Sequence, residues 1–167
     1  MIIGIGGISN AGKSFLANLI KINLEKKYKV KILCQDDFIK PESKIPTING
    51  LTDWEHPSSI NHEMYRQAVF REAKNNDIVI SEGLFAYYSN TLTESYSKKL
   101  FLYIDKETFK QRKQHDLRWG KVPDWYIEHI WSSYLRYGKA NDIIGIKKID
   151  ASNDFNLEEI SDYIESK

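Results

Sequence analysis

Residues 7–14, Gly-Ile-Ser-Asn-Ala-Gly-Lys-Ser, constrain this chain more than any other stretch, because they satisfy every fixed position of the pattern G-x-x-x-x-G-K-[ST]. An apolar run at 2–5 ends just before them. Leu16, Leu19, Ile20 and Leu24 follow at helical spacing, with Lys26, Lys27 and Lys29 near the end, where cations suit the helix dipole. Strand, glycine-rich turn and helix in that order turn backbone N–H groups inward on a phosphate, and the helix N-terminus adds partial positive charge. Gly7 and Gly12 let the backbone curl, and Ser9, Asn10 and Ala11 fill the loop. Lys13 is placed to reach the β- and γ-phosphates and Ser14 to ligate Mg²⁺; Phe15 completes the nucleotide-contacting stretch. The cofactors expected from this loop are ATP and Mg²⁺.

Four more apolar runs, at 30–34, 78–80, 100–104 and 143–149, read as strands. Their near-continuous hydrophobicity, without strict alternation, fits a parallel sheet covered on both sides. Met64, Ala68 and Val69 support a helix before the third strand, and Leu157, Ile160 and Ile164 support one at the end of the chain. Trp131, Tyr134 and Tyr137, spaced by three, read as core positions of a further helix. The expected fold class is α/β: a P-loop NTPase fold with a five-stranded parallel sheet, helices on both faces and a short lid, in a single domain over 1–167. Two stretches interrupt the pattern. The first, at about 36–57, holds three of the four prolines and Asn49-Gly50, and reads as an irregular acceptor-binding excursion. The second, at about 113–124, mixes His115, Arg118 and Lys121 with Trp119, Gly120 and Pro123, and reads as the lid.

In an open α/β sheet, ligands collect at the carboxyl ends of the strands. Those ends carry the phosphate loop, Gln35-Asp36-Asp37, Ser81-Glu82-Gly83, Asp105 and Asp150. Carboxylates gathered beside a triphosphate repel it unless a divalent cation sits among them, which again implies Mg²⁺, with Ser14, Asp36 and Glu82 as its ligands. Asp36 is also the candidate general base for an attacking hydroxyl, and Arg112, just before the lid, is the candidate cation for the transferring phosphoryl group. Trp54 and Trp119 stand in the two excursions, where a flat aromatic can stack on a base.

With 24 Lys+Arg against 23 Asp+Glu the chain has no general attraction for a polyanion, so nucleic acid is not an expected partner. No apolar run approaches the roughly 20 residues that span a bilayer, and a cytoplasmic protein, monomer or homodimer, is expected. The single cysteine, Cys34, reads as a small buried hydrophobe, and the four histidines show no zinc spacing.

The string Cys34-Gln35-Asp36-Asp37-Phe38-Ile39-Lys40-Pro41-Glu42-Ser43 resembles the segment after the second strand of nicotinamide riboside kinases. The likeness continues through Asn49-Gly50, Trp54-Glu55, Ile80-Ser81-Glu82-Gly83, Arg112, His129-Ile130-Trp131 and Tyr134-Leu135, and so covers nearly the whole chain in order. It implies ATP-dependent phosphorylation of the 5'-hydroxyl of nicotinamide riboside, with Asp36 as general base and Glu82 at the Mg²⁺ site. It also implies Glu55 on the ribose hydroxyls, Trp54 on the pyridine ring, Lys40 and Arg112 on the acceptor side, and Asp150, Ser152 and Asn153 against adenine. The family's aromatic-acidic pair is usually Tyr-Asp, so Trp54-Glu55 lengthens both side chains. His115 stands where a lid arginine is usual, and Trp119 is the nearest counterpart of a second stacking tyrosine.

Trp54-Glu55-His56-Pro57 also resembles the acidic-His-Pro element of uridine kinases, which makes uridine or cytidine the alternative acceptor. A P-loop regulatory protein without a small acceptor is the alternative from a different class. The N-K-x-D base-reading motif of Ras-type switches is missing from the sequence.

Overall fold

The computed structural model describes residues 1–117, 120, 122–140 and 142–166. In chain order the elements are β1 (Ile2–Gly7), α1 (Lys13–Leu24), β2 (Val30–Cys34), the two-residue strands β3 (Thr47–Ile48) and β4 (Leu51–Thr52), and α2 (His62–Ala73). Then come β5 (Ile78–Glu82), α3 (Asn90–Ser95), β6 (Lys98–Tyr103), α4 (Lys106–His115), α5 (Asp124–Ser133), a π-helical turn Tyr134–Gly138, β7 (Ile146–Asp150) and α6 (Leu157–Glu165).

The five apolar runs form one parallel sheet in the order β2-β5-β1-β6-β7. Its register aligns Cys34 with Glu82, Ile5 with Glu82, Gly7 with Leu102 and Tyr103 with Asp150, so the carboxyl ends lie along one edge. Because β1 is central, with β5 on one side and β6 on the other, the loop that leaves it opens in the middle of that edge, where ligands of such sheets bind.

Alternation along the strands assigns the two faces. Ile3, Ile5, Ile78 and Ile80 pack with Leu16, Ala17 and Ile20 of α1 and Ile160 and Ile164 of α6. Ile2, Leu33 and Val79 pack with Tyr65, Ala68 and Val69 of α2 and Leu92 of α3. Each fully buried aliphatic here stabilises the fold by roughly 2 kcal/mol. Beneath the end of β5, the Tyr65 hydroxyl lies 2.6 Å from Ser81 Oγ, which lies 2.9 Å from the Tyr96 hydroxyl, and Tyr96 donates to the Ala86 carbonyl at 3.0 Å. This satisfied buried chain fixes the strand end that carries Glu82.

Three details depart from the sequence reading. The buried face of α2 carries Tyr65 rather than Met64, which is 58% exposed. The 36–57 excursion is not wholly irregular: β3 and β4 pair as a small antiparallel hairpin whose turn is Asn49-Gly50, both at positive φ. Positive φ at both central turn residues matches the twist of the flanking strands, and Asn-Gly supplies it. Asp105 does not join the site edge but caps α4, accepting from the Thr108 N–H at 2.8 Å.

Candidate active site

The phosphate loop is shaped by two positive-φ glycines. Gly7 has φ 143°, and a Cβ there would meet the Leu102 carbonyl oxygen at 2.4 Å; Gly12, at φ 90°, stands at the start of α1. No side chain caps that helix and no acidic residue lies in its first turn, so its N–H groups face the loop without a competing anion. Lys13 Nζ donates to the Ile8 carbonyl at 3.0 Å, which folds the ammonium back over the loop. Ser14 Oγ donates to Glu82 Oε1 at 2.7 Å.

That hydroxyl and carboxylate fit a magnesium ion. Among the described residues no three Asp, Glu, His or Cys side chains form a metal cage, and Mg²⁺ usually takes one or two protein oxygens, with phosphate and water completing its shell. Asp36 is exposed directly after β2, on the strand next to Glu82. Gln35 anchors this turn: its buried side chain accepts from the Phe85 N–H at 2.9 Å. Cys34 keeps a neutral thiol, its pKa pushed up by burial and by Glu82 beside it.

Arg112 occupies the other end of the loop. Its guanidinium donates to the Ala151 carbonyl at 2.8 Å, the Ser152 carbonyl at 3.5 Å and the Asn10 carbonyl at 3.4 Å. It thereby ties the phosphate loop to the segment after β7, where Asp150 Oδ1 accepts from the Ser152 N–H at 2.9 Å. Asn10 Nδ2 donates to Asp116 Oδ2 at 2.9 Å, so the loop is also bonded to the end of α4. Phe15 and Phe155 pair beside Gly12, their centroids 6.2 Å apart. Asp150, Ser152 and Asn153 are exposed there, and His115 is bound to its own helix, Nδ1 lying 2.7 Å from the Gln111 carbonyl.

On the acceptor side, Trp54 is 42% exposed and its backbone is held by Tyr126 of α5. The Tyr126 hydroxyl donates to the Thr52 carbonyl at 3.0 Å and accepts from the Trp54 N–H at 3.4 Å. Glu55 carries a buried Oε2 with no hydrogen-bond partner. Burial pushes its pKa up to about 7; Lys113 and Lys13 oppose that rise, and Asp36 and Asp53 add to it. Glu55 thus lies within electrostatic reach of both Lys13 and Asp36. Lys40 stands near His62, whose pKa it lowers together with burial.

Sequence reasoning missed four residues. Lys113 is buried, 4.0 Å from Asp116, and its charge opposes the rise of the Glu55 pKa. Asp53, His129 and Tyr126 carry the Trp54-Glu55 pair. Only a lone basic residue inside a charged run marks Lys113 in the sequence, and nothing marks its burial. Trp119, Arg118 and Lys121 lie outside the described residues.

No family model matches the chain. Among solved structures, the fold is similar to a gluconokinase from Sinorhizobium meliloti (TM-score 0.60, 16% identity, 95% of this chain and 85% of that one). It is also similar to a shikimate kinase from Bacteroides thetaiotaomicron (TM-score 0.60, 19% identity, 98% and 94%). Among curated proteins, uridine kinase of Mycoplasma genitalium is 27% identical over 77% of this chain and 72% of its own length. Nicotinamide riboside kinase 1 of Rattus norvegicus is 29% identical over 81% and 77%. Nicotinamide riboside kinase 1 of Homo sapiens is 31% identical over 81% of this chain and 75% of its own length. With 31% identity to the human protein over 81% of its own residues, this chain is an enzyme of the nicotinamide riboside kinase family.

Proposed function

We propose that this chain transfers the γ-phosphate of ATP to the 5'-hydroxyl of nicotinamide riboside. The observation that carries this reading is the pairing of the phosphate loop with Glu55, whose buried Oε2 has no hydrogen-bond partner and whose carboxyl feels the charge of the same Lys13. The loop N–H groups hold the phosphates, and Lys13 leaves Ile8 to neutralise charge that develops on the transferring group. Asp36 takes the proton of the attacking hydroxyl. Ser14, Asp36 and Glu82 would hold Mg²⁺, which supplies charge neutralisation and orients the phosphates when bound. Glu55 accepts hydrogen bonds from the ribose 2'- and 3'-hydroxyls, and exposed Trp54 covers the ring. Arg112, the cation proposed for the transferring phosphoryl group, is anchored on the Asn10 and Ala151 carbonyls and would act on the phosphates from that end of the loop. The segment 113–124 is proposed as the lid, closing over the γ-phosphate as one part of a single kinase domain.

The uridine kinase relatives, and the residues Trp54-Glu55-His56-Pro57, favour uridine or cytidine as the second reading. An ATP-consumption assay over nicotinamide riboside, uridine, cytidine and adenosine tests both. The highest kcat/KM is expected for nicotinamide riboside. Faster turnover of uridine would overturn the choice of acceptor, and acceptor-independent hydrolysis alone would overturn transfer itself.

A further inference from the structure

We infer that His129 is a positioning residue for the acceptor-binding carboxylate, acting through Asp53: α5 holds Asp53, and Asp53 holds the backbone of Glu55. The inference rests on the proposed role of Glu55 at the riboside and concerns a pair of residues to which that role alone assigns nothing.

Three contacts build it. His129 Nε2 lies 2.7 Å from Asp53 Oδ1, and the same oxygen accepts from the Glu55 N–H at 3.2 Å. Because an ionised carboxylate only accepts, this geometry requires a proton on His129 Nε2. Asp53 is buried, and its own N–H donates to the Pro46 carbonyl at 2.8 Å, so its backbone is fixed and only its side chain can turn if His129 is removed. The third contact is Tyr126. It lies three residues before His129, on the same helical face, and grips Thr52 and Trp54 on either side of Asp53. Side chains at i and i+3 of one helix therefore hold three consecutive residues, Thr52 to Trp54, of a segment more than seventy positions away in sequence, and reach Glu55 through Asp53.

The charge balance makes the contact specific. Asp53 and Glu55 are two acidic side chains two positions apart, and Asp53 adds repulsion at the Glu55 carboxyl. A proton donor fixed on Asp53 Oδ1 draws that charge towards α5 and away from the riboside side. Without it Asp53 becomes a buried carboxylate short of a donor, and its side chain turns towards solvent and releases the Glu55 N–H. The carboxylate that receives the ribose hydroxyls then moves. The phosphate loop shares none of these bonds.

The test is kinetic and uses the full chain. His129→Leu is expected to raise KM for the preferred riboside by roughly tenfold while KM for ATP stays within about twofold. The preference for riboside over 2'-deoxyriboside should shrink. His129→Gln, whose amide N–H₂ can reach Asp53, should restore most of both. Adding His129→Leu to Glu55→Gln should change the riboside KM little further, because the relay then leads to a group already altered. If His129→Leu does not fold, His129→Asn, too short to reach Asp53, takes its place. A wild type that phosphorylates no riboside overturns the function and the relay with it. An active wild type in which the variant raises both KM values together, changes neither, or adds its full effect to Glu55→Gln overturns the relay alone.

Discussion

The phosphate loop occupies residues 7–14 and, with Asp36 after β2, forms the transfer machinery, whereas the acceptor side gathers Asp53 to Glu55 from the hairpin's exit, Lys113 from α4 and His129 from α5. Left-handed glycines and an uncapped helix end make the loop an anion site before any tertiary contact is added. The acceptor side exists only once separated elements have packed. Damage to the first should therefore abolish chemistry with any acceptor, and damage to the second should change which acceptor is used.

The largest effect is expected at Lys13. Lys13→Ala removes the ammonium proposed to neutralise the phosphates, and kcat should fall about 10³-fold for every acceptor in the panel, with thermal stability little changed. A well-folded variant with wild-type rates would remove Lys13 from the mechanism. Asp36→Asn comes next, at about 10²-fold in kcat with ATP binding nearly intact. If ATP affinity falls instead and kcat holds, Asp36 is a metal ligand and not the base.

These two residues also mark how far the sequence could be read. The loop was legible because its residues are contiguous and its turn chemistry is local, and the sheet was legible because buried parallel strands show as apolar runs. Tyr65 was missed on α2 because Met64, Ala68 and Val69 also fit a helical stripe, and one residue of phase decides which of the first two faces β5. The capping role of Asp105 depends on Thr108, a local pairing that a survey of strand ends overlooks. Lys113, Asp53 and His129 could not be found by spacing, since their significance lies in burial and in contacts across the chain. The resemblance supplied Glu55, and the structure supplied what holds it.

Glu55→Gln should separate the halves more finely. In the wild type, burial raises the carboxyl to about 7 against an ordinary 4.5. Between those values the folded protein binds more protons than the unfolded chain, so stability falls as pH rises through this window. Above it the cost levels off, on the order of 3 kcal/mol. Glu55→Gln should thus melt higher than wild type at pH 8, with the gap closing by pH 5. Its riboside kcat/KM should be roughly tenfold lower at pH 8, and the wild-type value should drop below pH 7 as the carboxylate is lost. A melting difference independent of pH would show that Glu55 is not the titrating group.

The smallest effect, and the one most specific to acceptor choice, belongs to Trp54. Its indole is exposed while its backbone is pinned by Tyr126 and by Ser59 Oγ, which donates to its carbonyl at 3.0 Å, so the ring is presented on a fixed stem. Any flat base can stack on it, but a cationic pyridinium gains a further attraction to the π face, about 0.5–2 kcal/mol, that neutral uracil lacks. Trp54→Leu keeps the apolar bulk and removes that attraction. It should therefore cost nicotinamide riboside several-fold more in kcat/KM than uridine, while leaving KM for ATP and the Asp53–His129 contact untouched. The comparison is a ratio of ratios, which cancels any general loosening of the hairpin. Equal losses for the two nucleosides would show that Trp54 covers the ring without reading its charge, and discrimination would then have to come from elsewhere in the site.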